Sequence, residues 1–157
     1  MKKWMTATAC FFMVILPASS AFALEGAGAA GQKMTIDRNR QLIQRLFNDV
    51  FNHQTLSLVD ELYAPNVVDH SAFPGQAPGS RGIKSAISGF FEIFDDLKVT
   101  VEDIVAEKDK VVTRERWRGT HGPSGMTAAG SVIHIFRIRD GRITDEWSRG
   151  WDWLDKL

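Results

Sequence analysis

The segment IHIFRIRDGRITDEWS, residues 133–148, decides how the second half of the chain folds. Apolar and polar residues alternate on both sides of Asp140-Gly141, and an Asp-Gly pair between alternating segments is a strong signal for a β-hairpin. The segment therefore predicts the last two strands of an antiparallel sheet. It also carries a histidine, His134, and a carboxylate, Glu146, on opposite sides of the turn.

The length of this turn decides whether the two side chains share a face of the sheet. A two-residue turn at Asp140-Gly141 places His134 opposite Trp147 and points Glu146 to the other face. A three-residue loop that ends in a glycine bulge places His134 opposite Glu146, with Ser148 diagonal to it. Because Asp-Gly suits both turns, the sequence leaves the register open.

Every strong helical signal lies before residue 97. Apolar residues with a 3.6-residue spacing predict a first helix that begins at Thr35 or Asp37. A second helix is predicted over 56–63, and a third follows the loop 71–82, which is rich in proline and glycine.

From residue 99 onward the apolar period changes to two. A short strand over 67–70 precedes this region, and longer strands are predicted from 99, over 110–120 and on both sides of Asp140-Gly141. Helices followed by an antiparallel meander are typical of an α+β fold. We therefore predict the α+β class.

The strand over 110–120 has two different faces. One face carries alternating arginines, namely Arg114, Arg116 and Arg118. The other face carries Thr113, Glu115 and Trp117. We interpret the arginine face as solvated, and the alternative is a cavity arginine that orients an anionic substrate.

The first 23 residues have the features of a secretory signal peptide. Lys2 and Lys3 precede an apolar run that is short for a membrane span, and Ala21-Phe22-Ala23 resembles a cleavage site. We predict cleavage after Ala23 and export to the periplasm or the medium, with no membrane attachment afterwards. The Gly- and Ala-rich residues 24–34 are predicted to be a flexible spacer, and residues 35–157 a single domain.

Composition narrows the chemistry further. Cleavage would remove Cys10, the one cysteine, so thiol and disulfide chemistry are not expected in the mature chain. It would also remove Lys2 and Lys3, leaving 17 Lys and Arg against 19 Asp and Glu, without the basic face that nucleic acid requires. The histidine spacing is not that of a zinc site. We predict no metal and no cofactor, and therefore acid/base chemistry on a small molecule or binding alone.

Candidate site residues follow from position. His134 interrupts an apolar strand, His70 borders the loop 71–82, and His121 lies where a strand opens into a Gly-rich loop. A structural role is the alternative for each. The residues predicted to contact a bound small molecule are His70, His121, Trp117, Trp147, Ser148, Tyr63 and Phe91.

Three segments together resemble a known family: YAPNVVDH (63–70), PGSRGIKSAISGFFEIFDDLKVTVEDIVAEKDKVVTRERWRGTH (78–121) and IHIFRIRDGRITDEW (133–147). They are similar to the SnoaL-like polyketide cyclases, or ester cyclases, of the nuclear transport factor 2-like superfamily. The resemblance implies an α+β cone in which a curved antiparallel sheet and three N-terminal helices enclose an apolar pocket, in a homodimer. It also implies ring closure by intramolecular aldol condensation without a cofactor, with an aspartate as general acid/base.

The resemblance places His134 at a pocket position on the penultimate strand. The catalytic aspartate usually follows the last-strand tryptophan directly, and here that position is Ser148. A hydroxyl of ordinary acidity cannot replace a carboxylate base, so the predicted catalytic residues are His134 and Glu146, with Asp152 a weaker candidate. The tryptophans of the C-terminal segment either pack over the pocket or form a subunit contact.

The predicted function is thus an exported protein that binds a small apolar or carbonyl-containing molecule in an enclosed pocket. It would catalyse aldol-type cyclisation or isomerisation by acid/base chemistry. The alternative is a non-catalytic ligand-binding or dimerisation module of the same fold.

Overall fold

The computed structural model describes the backbone of residues 19–156 and the side chains of residues 30–155. Most of the predicted signal peptide therefore lies outside the described residues. The helical elements are α1 (Ser19–Arg45), which continues as a π-helical segment (Leu46–Asn52), a 3₁₀ turn (Leu56–Leu58), α2 (Val59–Leu62), α3 (Gly79–Ile93) and a C-terminal 3₁₀ helix (Trp151–Lys156). The strands are β1 (Tyr63–Asp69), β2 (Lys98–Glu107), β3 (Lys110–Thr120), β4 (Thr127–Arg139) and β5 (Arg142–Arg149).

Helix α1 begins before the predicted start at Thr35 or Asp37. It includes residues 24–34, where a spacer was predicted. From residue 30 onward, the first side chain of α1 to become buried is Asn39, which donates from Nδ2 to the carbonyl oxygen of Lys108 at 3.0 Å. Ile43 follows one turn later and is fully buried, so α1 joins the core at this point.

The five strands form one sheet in the order β1-β5-β4-β3-β2. Strands β2 to β5 make the predicted antiparallel meander, whereas β1 pairs in parallel with β5, so the sheet is mixed. The parallel pairing is reached through the long connection that contains α3, as parallel strands require. Within residues 19–156, β1 and β2 are the two edge strands and do not pair with each other, so the curved sheet is not closed.

The β4–β5 hairpin has the two-residue turn. Asp140 and Gly141 have φ angles of 50° and 72°, and Arg139 pairs with Arg142 across them. Two positive φ angles in a two-residue loop are the requirement of a type I′ turn, which glycine meets without steric cost.

A bulge at Thr144 then changes the pairing. Arg137 pairs with Asp145, so β5 carries one residue more than β4 over this interval. As a result His134 pairs with Ser148, and Glu146 pairs with Phe136. Neither of the two predicted registers is therefore correct, yet His134 and Glu146 share a face, because the extra residue reverses the alternation of side chains along β5.

The concave face of the sheet packs on the helices and forms the core. On β3 the buried side chains are those of Val111, Thr113, Glu115 and Trp117, and the arginines that alternate with them are exposed. The interpretation of a solvated arginine face is thus confirmed. Within residues 19–156, no helix is long and apolar enough to cross a membrane.

Candidate functional site

A narrow cavity lies between the concave face of the sheet and the helices. Its volume is about 50 Å³, which leaves room for a few water molecules. Its apolar aromatic walls are Phe47, Phe51, Phe73, Phe90, Trp117, Phe136 and Trp151. The first two come from the π-helical segment, a rare helix form that is found often at functional sites. The polar side chains that line the cavity are those of Tyr63, Asp69, Ser71, Gln76, His134, Glu146 and Ser148.

Glu146 and Tyr63 form a buried pair at this cavity. The Tyr63 hydroxyl donates to Glu146 Oε2 at 2.9 Å. Burial raises the pKa of Glu146 to about 7, and the nearby Asp69 acts in the same direction, against the opposing effects of His134 and the Tyr63 hydrogen bond. Burial, together with the charge of Glu146, holds the pKa of Tyr63 well above its usual value. Glu146 can therefore exchange a proton near neutral pH, while Tyr63 stays a donor.

His134 is paired with a carboxylate that the sequence analysis did not assign to the site. Its Nδ1 lies 2.9 Å from Oε2 of Glu115, whose side chain is fully buried. The imidazole stacks on Phe136, with ring centroids 5.4 Å apart, and meets Phe47 edge-on. Among the described residues, Nε2 of His134 makes no hydrogen bond. The signal for Glu115 was its alternation with Trp117 on the face of β3 without arginines.

Asp69 holds the loop between β1 and α3 over the cavity. Its Oδ1 accepts from the backbone N–H of Ser71 at 2.8 Å, and its Oδ2 accepts from Nε2 of Gln76 at 2.9 Å. The loop carries Phe73, which packs on Phe90 and Trp151. Asp69 was also missed, although the period of two along β1 places it on the same face as the buried Val67.

Ser148 lines the cavity and holds a second wall residue, Trp151, in place. Its Oγ accepts a hydrogen bond from Trp151 Nε1 at 2.8 Å, and the indole meets Trp117 edge-on, with ring centroids 5.0 Å apart. Trp151 also meets the His134 imidazole. Of the two alternatives for the C-terminal tryptophans, packing over the pocket is the one found for Trp151.

The structure brings together five of the predicted residues and separates four others from them. His134, Glu146, Tyr63, Trp117 and Ser148 line the cavity, whereas His70, Trp147, His121 and Phe91 do not.

Strand alternation explains why two of these four side chains lie outside the cavity. Trp147 follows Glu146 and His70 follows Asp69, so both face the convex side of the sheet, where their rings stack 4.3 Å apart. There His70 Nε2 lies 3.2 Å from Asp145 Oδ1.

Local packing explains the other two. His121 bonds Ser124 within the β3–β4 loop through Nδ1 at 2.7 Å. Phe91 packs edge-on against Phe51 from outside the cavity. Within the described residues, no group of three or more His, Cys, Asp or Glu side chains is arranged to hold a metal ion.

The fold is α+β, with helices packed into a curved sheet that is not closed, and carboxyl and imidazole groups lie in its aromatic cavity. This combination defines a protein of the nuclear transport factor 2-like class. The sequence model of the SnoaL-like polyketide cyclases matches residues 41–157. The chain therefore belongs to the SnoaL-like polyketide cyclase family. No curated protein matches it.

Solved structures agree with this assignment. IdmH of Streptomyces antibioticus, assigned as a polyketide cyclase, is 31% identical with a TM-score of 0.66, over 76% of this chain and 97% of IdmH. A Bacillus cereus protein with the same assignment is 25% identical with a TM-score of 0.69, over 76% of this chain and 78% of its own.

A third structure shows the fold alone. AclR of Streptomyces galilaeus, assigned as a hydroxylase, is 22% identical with a TM-score of 0.66, over 78% of this chain and 98% of AclR. The fold thus occurs with more than one assigned activity. The family and the fold are compatible with cyclase or isomerase activity that needs no cofactor.

Proposed function

We propose that this protein catalyses cofactor-free acid/base chemistry on a small carbonyl compound, in an aldol-type cyclisation or an isomerisation. The observation that carries the proposal is the presence of two proton-exchanging groups, Glu146 and His134, on one face of the β4–β5 hairpin and in one aromatic cavity. Each has its own buried partner, Tyr63 and Glu115 respectively.

The chemistry follows from the pair. One group removes the proton next to a carbonyl, so that the C–H bond breaks and its electron pair moves to the carbonyl oxygen. The other group donates a hydrogen bond to the oxygen that becomes negative. In an aldol closure the enolate carbon then bonds to a second carbonyl of the same molecule, whose oxygen takes up a proton. An apolar enclosure strengthens these interactions relative to water.

The size of the cavity bears on the substrate. At about 50 Å³, it holds only a few non-hydrogen atoms as it stands. A larger carbonyl compound would displace Phe73 or Trp151, which pack against each other at the cavity. We further propose that the protein acts after export, on the basis of the sequence of residues 1–23.

Ligand binding without turnover is the second candidate function. Ser148 favours it, because the side chain after Trp147 orients Trp151 and does not supply a carboxylate. An apolar pocket with a few polar groups is sufficient for binding. The two candidates differ in whether a carbonyl compound loses a carbon-bound proton in the cavity.

Hydrogen–deuterium exchange at the carbon next to a carbonyl distinguishes them. An aryl-substituted methyl ketone is incubated with the protein in D₂O and followed by NMR. We expect exchange above the buffer rate for the wild type, and a decrease of about 100-fold in Glu146→Gln and His134→Gln, the lower range for general acid/base catalysis. His70→Gln, which changes a histidine on the convex face, should leave the rate unchanged.

Each other outcome has a definite meaning. Ketone binding without exchange above buffer would establish the second candidate. Exchange that is unaffected by Glu146→Gln would remove Glu146 from the mechanism.

A further inference from the structure

We propose that Glu115 is a positioning residue that makes His134 the base and leaves Glu146 as the proton donor. This inference rests on the proposed function, and it assigns the two roles which that function leaves open. Glu115 does not face the cavity itself, so it would act through the imidazole.

The burial of Glu115 is difficult to explain by stability. Its side chain is fully buried on the inner face of β3, between Thr113 and Trp117. One oxygen contacts His134, and the other, Oε1, has no hydrogen-bond partner among the described residues. A buried charge is costly to desolvate, and apolar residues often replace buried ion pairs without loss of stability. A carboxylate at this position therefore indicates a role in setting the state of its partner.

The proposed role of Glu115 is to set which ring nitrogen of His134 carries the proton. If the Glu115 carboxylate accepts this hydrogen bond, the proton of the neutral imidazole is on Nδ1, which lies 2.9 Å away. The lone pair is then on Nε2, which is free of hydrogen bonds among the described residues. The flanking rings of Phe136 and Phe47 hold the imidazole plane.

The contact with Glu115 also favours the protonation of His134 during the reaction. When Nε2 takes the substrate proton, the imidazolium lies next to the Glu115 carboxylate, which stabilises the new charge. The same logic applies to the carboxylate that supports the histidine of hydrolase triads.

Glu146 is suited to the complementary role. Its burial favours the neutral carboxyl, and Oε2 is occupied by the Tyr63 hydroxyl. A neutral carboxyl donates a hydrogen bond to the carbonyl oxygen and gives up its proton to the alkoxide after ring closure. The proton that His134 took from carbon then restores Glu146, and the cycle balances.

Imidazole ¹⁵N NMR tests this inference independently of turnover. In wild type the His134 signals, assigned with His134→Gln, should be those of the Nδ1–H tautomer. In Glu115→Leu, which has a similar volume and no acceptor, they should shift to the Nε2–H form that dominates for imidazole free in water. Ketone exchange should fall by about 100-fold in Glu115→Leu. Glu115→Gln keeps an acceptor oxygen without the charge, so its exchange rate should lie between those of wild type and Glu115→Leu.

A matched control exists on the convex face. Asp145 contacts Nε2 of His70, whereas Glu115 contacts Nδ1 of His134, so Asp145→Asn should alter only the His70 signals and leave exchange unchanged. An Nε2–H tautomer of His134 in wild type would overturn the inference, and so would full exchange in a folded Glu115→Leu. If Glu115→Leu does not fold, the inference is tested by the tautomer of His134 in wild type and by the exchange rate of Glu115→Gln.

A different result would separate the two proposals. If wild type shows no exchange, but shows the Nδ1–H tautomer of His134 and loses it in Glu115→Leu, the proposed function is contradicted and the positioning role of Glu115 is retained.

Discussion

Glu146 couples the acid/base chemistry of the site to the stability of the fold. Its pKa is about 7 in the folded protein against an ordinary value of 4.5. Since this carboxyl has a raised pKa, its contribution to stability is fully present below pH 4.5 and is lost as the pH rises through 7. A shift of this size corresponds to about 3 kcal/mol in the free energy of unfolding.

Substitution of Glu146 by glutamine should remove that pH dependence. We expect urea unfolding to show wild type losing about 3 kcal/mol relative to Glu146→Gln between pH 4.5 and pH 8. Glu107→Gln, at an exposed carboxylate on β2, should follow wild type across the range. A constant difference between wild type and Glu146→Gln would mean that the folded protein does not favour the neutral carboxyl.

The C-terminal 3₁₀ helix closes the cavity through one side chain, Trp151. The indole packs against Phe90, Trp117 and His134 and is fixed by Ser148. Trp151→Ala should therefore enlarge the cavity and reduce the free energy of unfolding by about 3 kcal/mol, as for other large-to-small changes at packed aromatic residues.

The enlarged cavity should bind an apolar fluorescent dye more tightly than wild type, which a fluorescence titration measures. Trp147→Ala is the matched control, because this tryptophan lies on the convex face. Equal dye affinity in wild type and Trp151→Ala would show that the indole does not limit access to the cavity.

At the level of elements, periodicity was sufficient for the fold class and for much of the site. The alternation along β3 separates the arginines from Glu115 and Trp117, and the Asp140-Gly141 pair predicts the hairpin but leaves the length of its turn open. The bulge at Thr144 could not be predicted, because no local residue type demands an extra residue there. The shared face of His134 and Glu146 depends on that bulge, so it required the structure.

The parallel pairing of β1 depends on contacts distant in sequence. Tyr63 lies opposite Ile143 and Asp69 opposite Glu146, more than 70 residues apart in the chain. This pairing places the Tyr63 hydroxyl on Glu146 and Asp69 at the cavity. Local signals carry no information about such partners. The period of two along β1 could have favoured Asp69 over His70, but the contact of Asp69 with the cavity required the structure.

At the scale of the whole molecule, the sheet has the cavity on its concave side and a partly apolar, solvent-exposed surface on its convex side. Val112, Ile135 and Trp147 are paired neighbours across β3, β4 and β5, and they form an apolar row on that face together with Ile133. Ile133 is 48% exposed and Ile135 36%. Contiguous exposed apolar residues are characteristic of interaction sites, unlike isolated ones.

The charges beside this apolar row favour a second copy of the chain as the occupant. Asp145 is already paired with His70 and Arg137, so covering the face would leave none of these three without a partner. A two-fold axis would set the apolar row of one subunit against that of the other. We therefore propose that the protein is a homodimer through this face.

Charge introduced into the apolar row should dissociate the dimer. We expect sedimentation equilibrium to give a dimer for wild type and a monomer for Ile135→Lys, because the interface would bury the lysine charge within the apolar row. Met34→Lys, at an exposed apolar residue of α1, is the control and should remain dimeric. Ketone exchange by Ile135→Lys should persist, since its side chain points away from the cavity. A wild type that is monomeric at all concentrations, or an Ile135→Lys variant that stays dimeric, would rule out this interface.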